Sequence, residues 1–285
     1  MTLDRKTYMG SSDAAPACGL SPFATPLDVY NAKRDGSPEI DTMPIRFGTF
    51  NEPFVLSEFT RETGIELQGH QAHKRHPEYE FIGATLDALT SDGQAIVEAK
   101  TTSMQYDELP KHILIQVQEQ LACAGLKMAF VPVLMRGRDF KIFEVEANET
   151  WQEWILEKMA RLWIHVQEGD PPPPMTLADV RSMFPESEES RLIASDEVIE
   201  LCEGLTEIKR QIAELSDKKD VVEAAIQGEM GKHSTLVDSQ GKILATWKSS
   251  KPGARFDSKA LKEAMPDIHS QFTKQTNGSR RFILK

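Results

Sequence analysis

The sequence predicts a mixed α/β protein, continued by a long helix and a small basic α+β region. Three observations predict it. Residues 81–102, FIGATLDALTSDGQAIVEAKTT, place an Asp92-Gly93 hairpin signal between strand-like runs. A helix opened by Pro110 and closed by Gly125 follows, and then an apolar strand pair over 128–146. Beyond the prolines at 171–174, apolar residues recur at alternating spacings of three and four from Ala194 to Ile226, with Lys219 at the one missing step, the pattern of one long heptad helix.

The chain of 285 residues is long enough for one large or two modest domains. No run of about 18 apolar residues exists, so no membrane span is expected. The start, MTLDRKTYMG, lacks the apolar core of a signal peptide. Cys18, Cys123 and Cys202 lie too far apart for a zinc spacing or a disulfide framework, which fits a reducing cytoplasm. The net charge of −11 argues mildly against nucleic acid, but its distribution matters more: residues 232–285 carry +7 and the rest −18.

In chain order, residues 1–36 read as a loop and two short helices. Gly10-Ser11-Ser12-Asp13 is an N-cap cluster, and Pro16 keeps the helix behind it short. Ser12 reads as a cap, and a helix start also offers free N–H groups to an anion such as phosphate. The second helix starts at Pro26 and ends before Gly36. A helix over 47–64 is expected to be capped near Asn51 and stopped by Gly64. Glu52 shares a side with Val55, Leu56 and Phe59. A first-turn glutamate complements the helix dipole, but on this face it points into the protein, where a metal could be its partner. Residues 65–81 read as a strand and a turn at Pro77. His70, His73 and His76, with no helical pattern around them, read as a solvated strand or loop.

If Asp92 and Gly93 form the hairpin loop, Asp87 falls opposite Glu98 and Thr85 opposite Lys100. Alternation puts Glu98, Lys100 and Asp87 on one face. Two facing carboxylates beside a lysine suit a hard cation, and such a lysine can steer or activate a water. The same residues on an exposed hairpin would be ordinary surface charges. Ala95-Ile96-Val97 argues for burial, and buried carboxylates need partners. Facing like charges repel, so removing Glu98 is expected to cost no metal-free stability, or to raise it.

In the 110–125 helix, Leu114, Val117, Leu121 and Ala124 form the expected core stripe. Gln116 and Gln120 lie four apart on an adjoining face, where glutamines often meet a protein or nucleic acid. A turn at Arg136–Asp139 joins the two strands of 128–146, and a helix over 149–167 follows. The expected domains are a large α/β region over 1–172, a stiff linker over 173–190, the helix over 191–230 and a basic α+β region over 231–285. The last should hold a hairpin at Gln240-Gly241, a helix over 257–273 and a strand over 280–284.

Residues 8–172 resemble the YqaJ-type viral recombinase family, relatives of lambda exonuclease within the PD-(D/E)xK nuclease superfamily. The matching pieces are GSSDAAPACGLSPFATPLDVY, FGTFNEPFVLSEFTRETG, GATLDALTSDGQAIVEAK and IQVQEQLACAG, in the family's order. The resemblance implies a restriction-endonuclease-like core, a mixed central sheet flanked by helices. It implies that Asp87, Glu98, Glu52 and the backbone carbonyl of Ala99 bind Mg²⁺ or Mn²⁺, and that Lys100 orients or deprotonates the attacking water. Gln116 matches the first glutamine of the family's QxQ helix, with Gln120 beyond it. Ser12 matches the serine near the terminal-phosphate pocket, and Thr85 stands where relatives often have serine, with a hydroxyl that can still contact phosphate. Leu86 replaces the usual proline before the aspartate. The implied activity is a 5′→3′ double-strand DNA exonuclease of phage recombination, a ring-shaped homo-oligomer (a trimer) threaded by DNA, leaving 3′ single strands for an annealing protein. A structure-specific or nicking endonuclease on the same core is the alternative. A non-catalytic interaction module is a second, mainly for the C-terminal part. An iron–sulfur nuclease is excluded, since it needs four cysteine ligands and only three cysteines exist.

Overall fold

The computed structural model describes residues 4–36, 41–274 and 278–285, and the chain divides into two units, Met1–Phe184 and Pro185–Lys285. The first three residues of the start read above for a signal peptide lie outside the described residues. No helix among the described residues is long and apolar enough to cross a membrane.

The first unit opens with a 3₁₀ turn (Arg5–Thr7), β1 (Met9–Gly10), α1 (Ser11–Ala17), α2 (Pro26–Asp35) and α3 (Met43–Thr63). Next come β2 (Leu67–Gln68), β3 (Ala72–Arg75), β4 (Ile82–Leu86), β5 (Ala88–Thr90), β6 (Ala95–Val97) and β7 (Lys100–Thr102). The unit ends with α4 (Lys111–Ala124), β8 (Met128–Met135), β9 (Asp139–Glu146), α5 (Glu149–Glu168) and α6 (Leu177–Met183). Helix α1 is capped from Gly10, whose N–H donates to Asp13 Oδ2 at 2.8 Å. Helix α3 starts at Met43, well before the expected cap at Asn51. Thr42 and Pro44 supply the start, and Asn51 donates instead to the Phe47 carbonyl one turn back (2.7 Å). Gly64 ends α3 in the left-handed region, as expected.

The hairpin keeps the expected register, Ala88↔Val97 and Leu89↔Ile96. Its loop is longer than two residues. Gly93 N–H donates to Thr90 O (2.8 Å), and of Asp92 and Gly93 only the glycine has positive φ, so this is not the two-residue turn that needs it at both. One pairing fails. The chain bends at Asp87, β4 joins β1 and β3 in a separate three-stranded sheet, and Thr85 pairs with His73 while Lys100 pairs with Val133.

In the main sheet, β9 runs antiparallel along the whole of β8, and β6 and β7 pair parallel with β8. The offset is the same for Val97↔Phe130 and Lys100↔Val133, so β6 and β7 are one extended segment interrupted at Glu98-Ala99. Glu98 N–H still donates to Phe130 O (2.9 Å), but the next donor along β8 would be Pro132, which has no N–H. The ladder therefore lapses between Glu98 and Lys100.

Helix α3 covers one face of this sheet, with Leu56 and Phe59 packed on Ala88 and Val97. Helices α1, α2, α4 and α5 share the larger core with β4, β6 and β8. Helix α4 is buried well beyond one stripe: Ile113, Ile115 and Cys123 are buried with Val117 and Leu121, while Leu114 and Ala124 are only half-buried. The polar stretch read as a linker contains α6, whose buried Asp179 accepts from Thr25 Oγ1 at 3.0 Å.

The second unit holds α7 (Asp196–Met230), β10 (Thr235–Val237), β11 (Ile243–Thr246), α8 (Ser258–Ala264) and α9 (Pro266–Gln271). Ser195 caps α7, so the helix begins five residues later than expected. Pro266 splits the helix expected over 257–273 in two, because a proline clashes with the preceding turn. Residues 280–284 form no strand.

Candidate active site

The lapse in the ladder sets out the site. Glu98 is almost fully buried, at 3% exposure. A carboxylate there is tolerable only with donors around it. Lys100 Nζ (2.7 Å) and Gln116 Nε2 (2.6 Å) donate to its Oε1, and Gln120 Nε2 (2.7 Å) donates to its Oε2. Lys100 Nζ also donates to Gln116 Oε1 at 3.1 Å. Gln116 and Gln120 reach the same carboxylate because residues four apart share a helix face. Gln120, expected as a DNA or phosphate contact, is fully buried as placed and donates to Glu98.

Asp87 joins from the bend between β4 and β5, accepting the Ala99 N–H on Oδ2 at 2.9 Å. Burial, and then the charges of Glu98 and Glu52, push its carboxyl up to about 8, against the opposing pull of Lys100 and the Ala99 N–H. Glu52 reaches the cluster from α3 and accepts Gln71 Nε2 at 2.8 Å. For Lys100, burial lowers the pKa, but Glu98, Asp87 and Glu52 outweigh it and the net shift is upward. As placed, Lys100 donates to Glu98 and to Gln116.

Ser12 is brought to the same place. It lines a cavity of about 350 Å³ with Ser21, Lys100, Thr102, His112 and Gln116. Its Oγ accepts Arg5 Nη2 at 2.7 Å. Thr85 is not brought there: its hydroxyl lies 3.5 Å from His73 Nδ1, on the other sheet. The three histidines also separate, with His76 Nδ1 accepting the N–H groups of Glu78 and Tyr79.

Three residues escaped the sequence reading. Arg5 left no signal beyond a charge near the start. Gln71 stands at φ 55 and donates its backbone N–H to Asp87 O (3.3 Å) while its side chain holds Glu52. Glu119 lies fully buried, pushed up to about 7 by burial, with Cys123 Sγ donating to it at 3.1 Å. A glutamate between two glutamines reads as surface.

The donor set fits a hard divalent cation in its chemistry: carboxylates, a backbone carbonyl and neighbouring negative charges that add to burial in raising the Asp87 carboxyl. As placed, no three His, Cys, Asp or Glu side chains among the described residues stand close enough to share one ion. The reason is visible, since both Glu98 oxygens are engaged by nitrogen donors and Glu52 is tied to Gln71.

Comparison with known proteins adds a family. Residues 2–127 match the YqaJ-like viral recombinase domain. The chain is 29% identical over 302 residues to the "uncharacterized protein YqaJ" of Bacillus subtilis (strain 168), across 99% of this chain and 92% of that one. Among solved structures it is similar to the alkaline exonuclease LHK-Exo of Laribacter hongkongensis, with TM-score 0.48, 16% identity, 58% of this chain and 91% of that one covered. It is also similar to a phage-related exonuclease of Haemophilus somnus 129PT, with TM-score 0.45, 10% identity and 56% and 94% covered. Glu98, Lys100, Gln116 and Gln120 all fall within the span that matches the YqaJ-like viral recombinase domain.

Proposed function

We propose that this protein is a metal-dependent deoxyribonuclease that degrades duplex DNA from its ends, 5′→3′, leaving 3′ single strands for an annealing protein. The observation that carries this reading is the Glu98–Lys100–Gln116 cluster opening on the cavity that Ser12 also lines. Phosphodiester hydrolysis needs a positioned water, neutralised phosphate charge and help for the leaving oxygen. Asp87, Glu98, Glu52 and the Ala99 carbonyl would hold Mg²⁺ (or Mn²⁺), which would neutralise phosphate charge and lower the pKa of a bound water.

The chain's own residues do the rest. Lys100, as an ammonium, donates a hydrogen bond to the water or to a phosphate oxygen and holds it in line. Gln116 and Gln120 fix the Glu98 carboxylate from two sides, so that it does not rotate. Gln71 braces Glu52 and the Asp87 backbone together. Ser12, with Arg5 beside it, offers a hydroxyl and a guanidinium to the terminal phosphate, which favours cleavage from an end. The basic region over 232–285, at +7, would supply salt-sensitive grip on the DNA backbone.

The test is digestion of linear duplex DNA, phosphorylated at one 5′ end, beside covalently closed circles. Loss of the linear molecules with the circles spared is expected. Cutting of the circles would replace this reading with an endonuclease on the same core.

A further inference from the structure

Helix α7 carries an apolar seam with nothing of its own unit against most of it. Val198, Leu201, Ile208, Ile212, Leu215, Val222 and Ile226 are between 41% and 67% exposed. With Leu205 they fill every first and fourth heptad position from 198 to 226 except one, which is Lys219. The opposite face carries ion pairs within the helix, with Arg210 bridging Glu207 (2.6 Å) and pairing with Glu214.

We propose that α7 pairs with the α7 of a second copy of this chain, as a parallel, in-register, two-stranded coiled coil. Charge selects the partner and its direction. In the parallel register, the position before each first heptad residue faces the fifth position of the next heptad on the other helix. That puts Lys218 opposite Glu223 of the second copy, twice by symmetry. The other facing pairs, Glu197 with Cys202, Gly204 with Lys209 and Gln211 with Ser216, contain no like charges. An antiparallel pairing of the whole seam makes no opposite-charge pair and lays Lys219 against Ile208.

Lys219 completes the case. Its Nζ already leaves the seam, 3.2 Å from Asp220 and 3.8 Å from Glu223 of its own helix, so two copies can meet there without facing bare charges. A single lysine at a first heptad position fixes register at some cost in stability. Of the heptads apolar at both positions, Val198/Leu201 and Ile212/Leu215 place a β-branched residue first and leucine fourth, the arrangement that favours two strands, and Leu205/Ile208 reverses it.

The experiment uses the full chain with Cys202→Ser. Mild oxidation of Leu215→Cys should give a disulfide-linked pair near twice 32.0 kDa, while Asp217→Cys on the outer face should not. Equal cross-linking at both positions would overturn the proposal. So would preferential linkage of an Ile208→Cys copy to a Lys219→Cys copy, which is the antiparallel outcome. By light scattering, Ile208→Asp with Leu215→Asp should halve the wild-type mass. An unchanged mass, or a fall from three copies to one, contradicts two-stranded pairing through this seam.

Discussion

Gln120 donates to Glu98 Oε2 across 2.7 Å of buried space, while Lys100 and Gln116 both donate to the other oxygen, Oε1. Gln120→Ala leaves one carboxylate oxygen without a donor. It should lower stability by about 1–3 kcal/mol, the cost of an unsatisfied buried polar group. Urea unfolding in EDTA measures this, and a variant as stable as wild type would show that Glu98 finds another donor.

Glu98→Ala reverses an expectation drawn from register alone. Facing Asp87, Glu98 looks like a source of repulsion whose removal is harmless. The structure gives it three nitrogen donors, so the truncation strands Lys100, Gln116 and Gln120 together. Metal-free melting temperature should fall, with a loss of the same order, about 1–3 kcal/mol. A rise would restore repulsion as the dominant effect.

Asp87 makes metal-free stability depend on pH. Its folded carboxyl titrates at about 8 against 3.8 for the ordinary group. Between those values the folded protein holds a proton that the unfolded chain has released, so stability falls as pH rises through that window. In EDTA the melting temperature should decline from pH 5 to pH 8, and Asp87→Asn should flatten the decline. Mg²⁺ that binds only the folded protein should stabilise it more at pH 8 than at pH 5. A melting temperature that climbs with pH in EDTA, in wild type but not in the variant, would contradict the assigned shift.

Removal of residues 185–285 tests the basic region. A chain ending at Phe184 retains α6 and its Asp179–Thr25 contact, which an end near residue 174 would lose. It should still cut short duplexes at low salt, bind DNA more weakly and show a shallower dependence of affinity on salt. An unchanged salt slope, measured by fluorescence anisotropy, removes the region from the DNA contact.

Much of this site was legible because hairpin register and helix spacing are local rules. The pairing of Ala88 with Val97 followed from the hairpin signal even though the loop is longer than two residues. The grip of Gln116 and Gln120 on one carboxylate was half legible: spacing put them on one face, but which face turns inward depends on packing of α4 against β4. Thr85 was misplaced because the bend at Asp87 moves β4 into another sheet, a tertiary event with no local mark. The interruption at Glu98-Ala99 traces to Pro132, beside Ala99 in the ladder but 33 positions away in the sequence, and no reading of the hairpin alone could find it. Pro266, by contrast, was a visible breaker inside a segment read as one helix.

The central claim is that the buried cluster around Lys100 hydrolyses DNA from its ends. It is tested most directly by wild type and Lys100→Ala, in Mg²⁺, on end-phosphorylated linear duplex and on covalently closed circles. The account predicts that wild type consumes the linear DNA and spares the circles. Lys100→Ala should lose ~10²-fold or more of that rate, the scale of removing one oriented donor, while it still binds the duplex. Full activity in Lys100→Ala, or circles cut as fast as linear DNA, would contradict it.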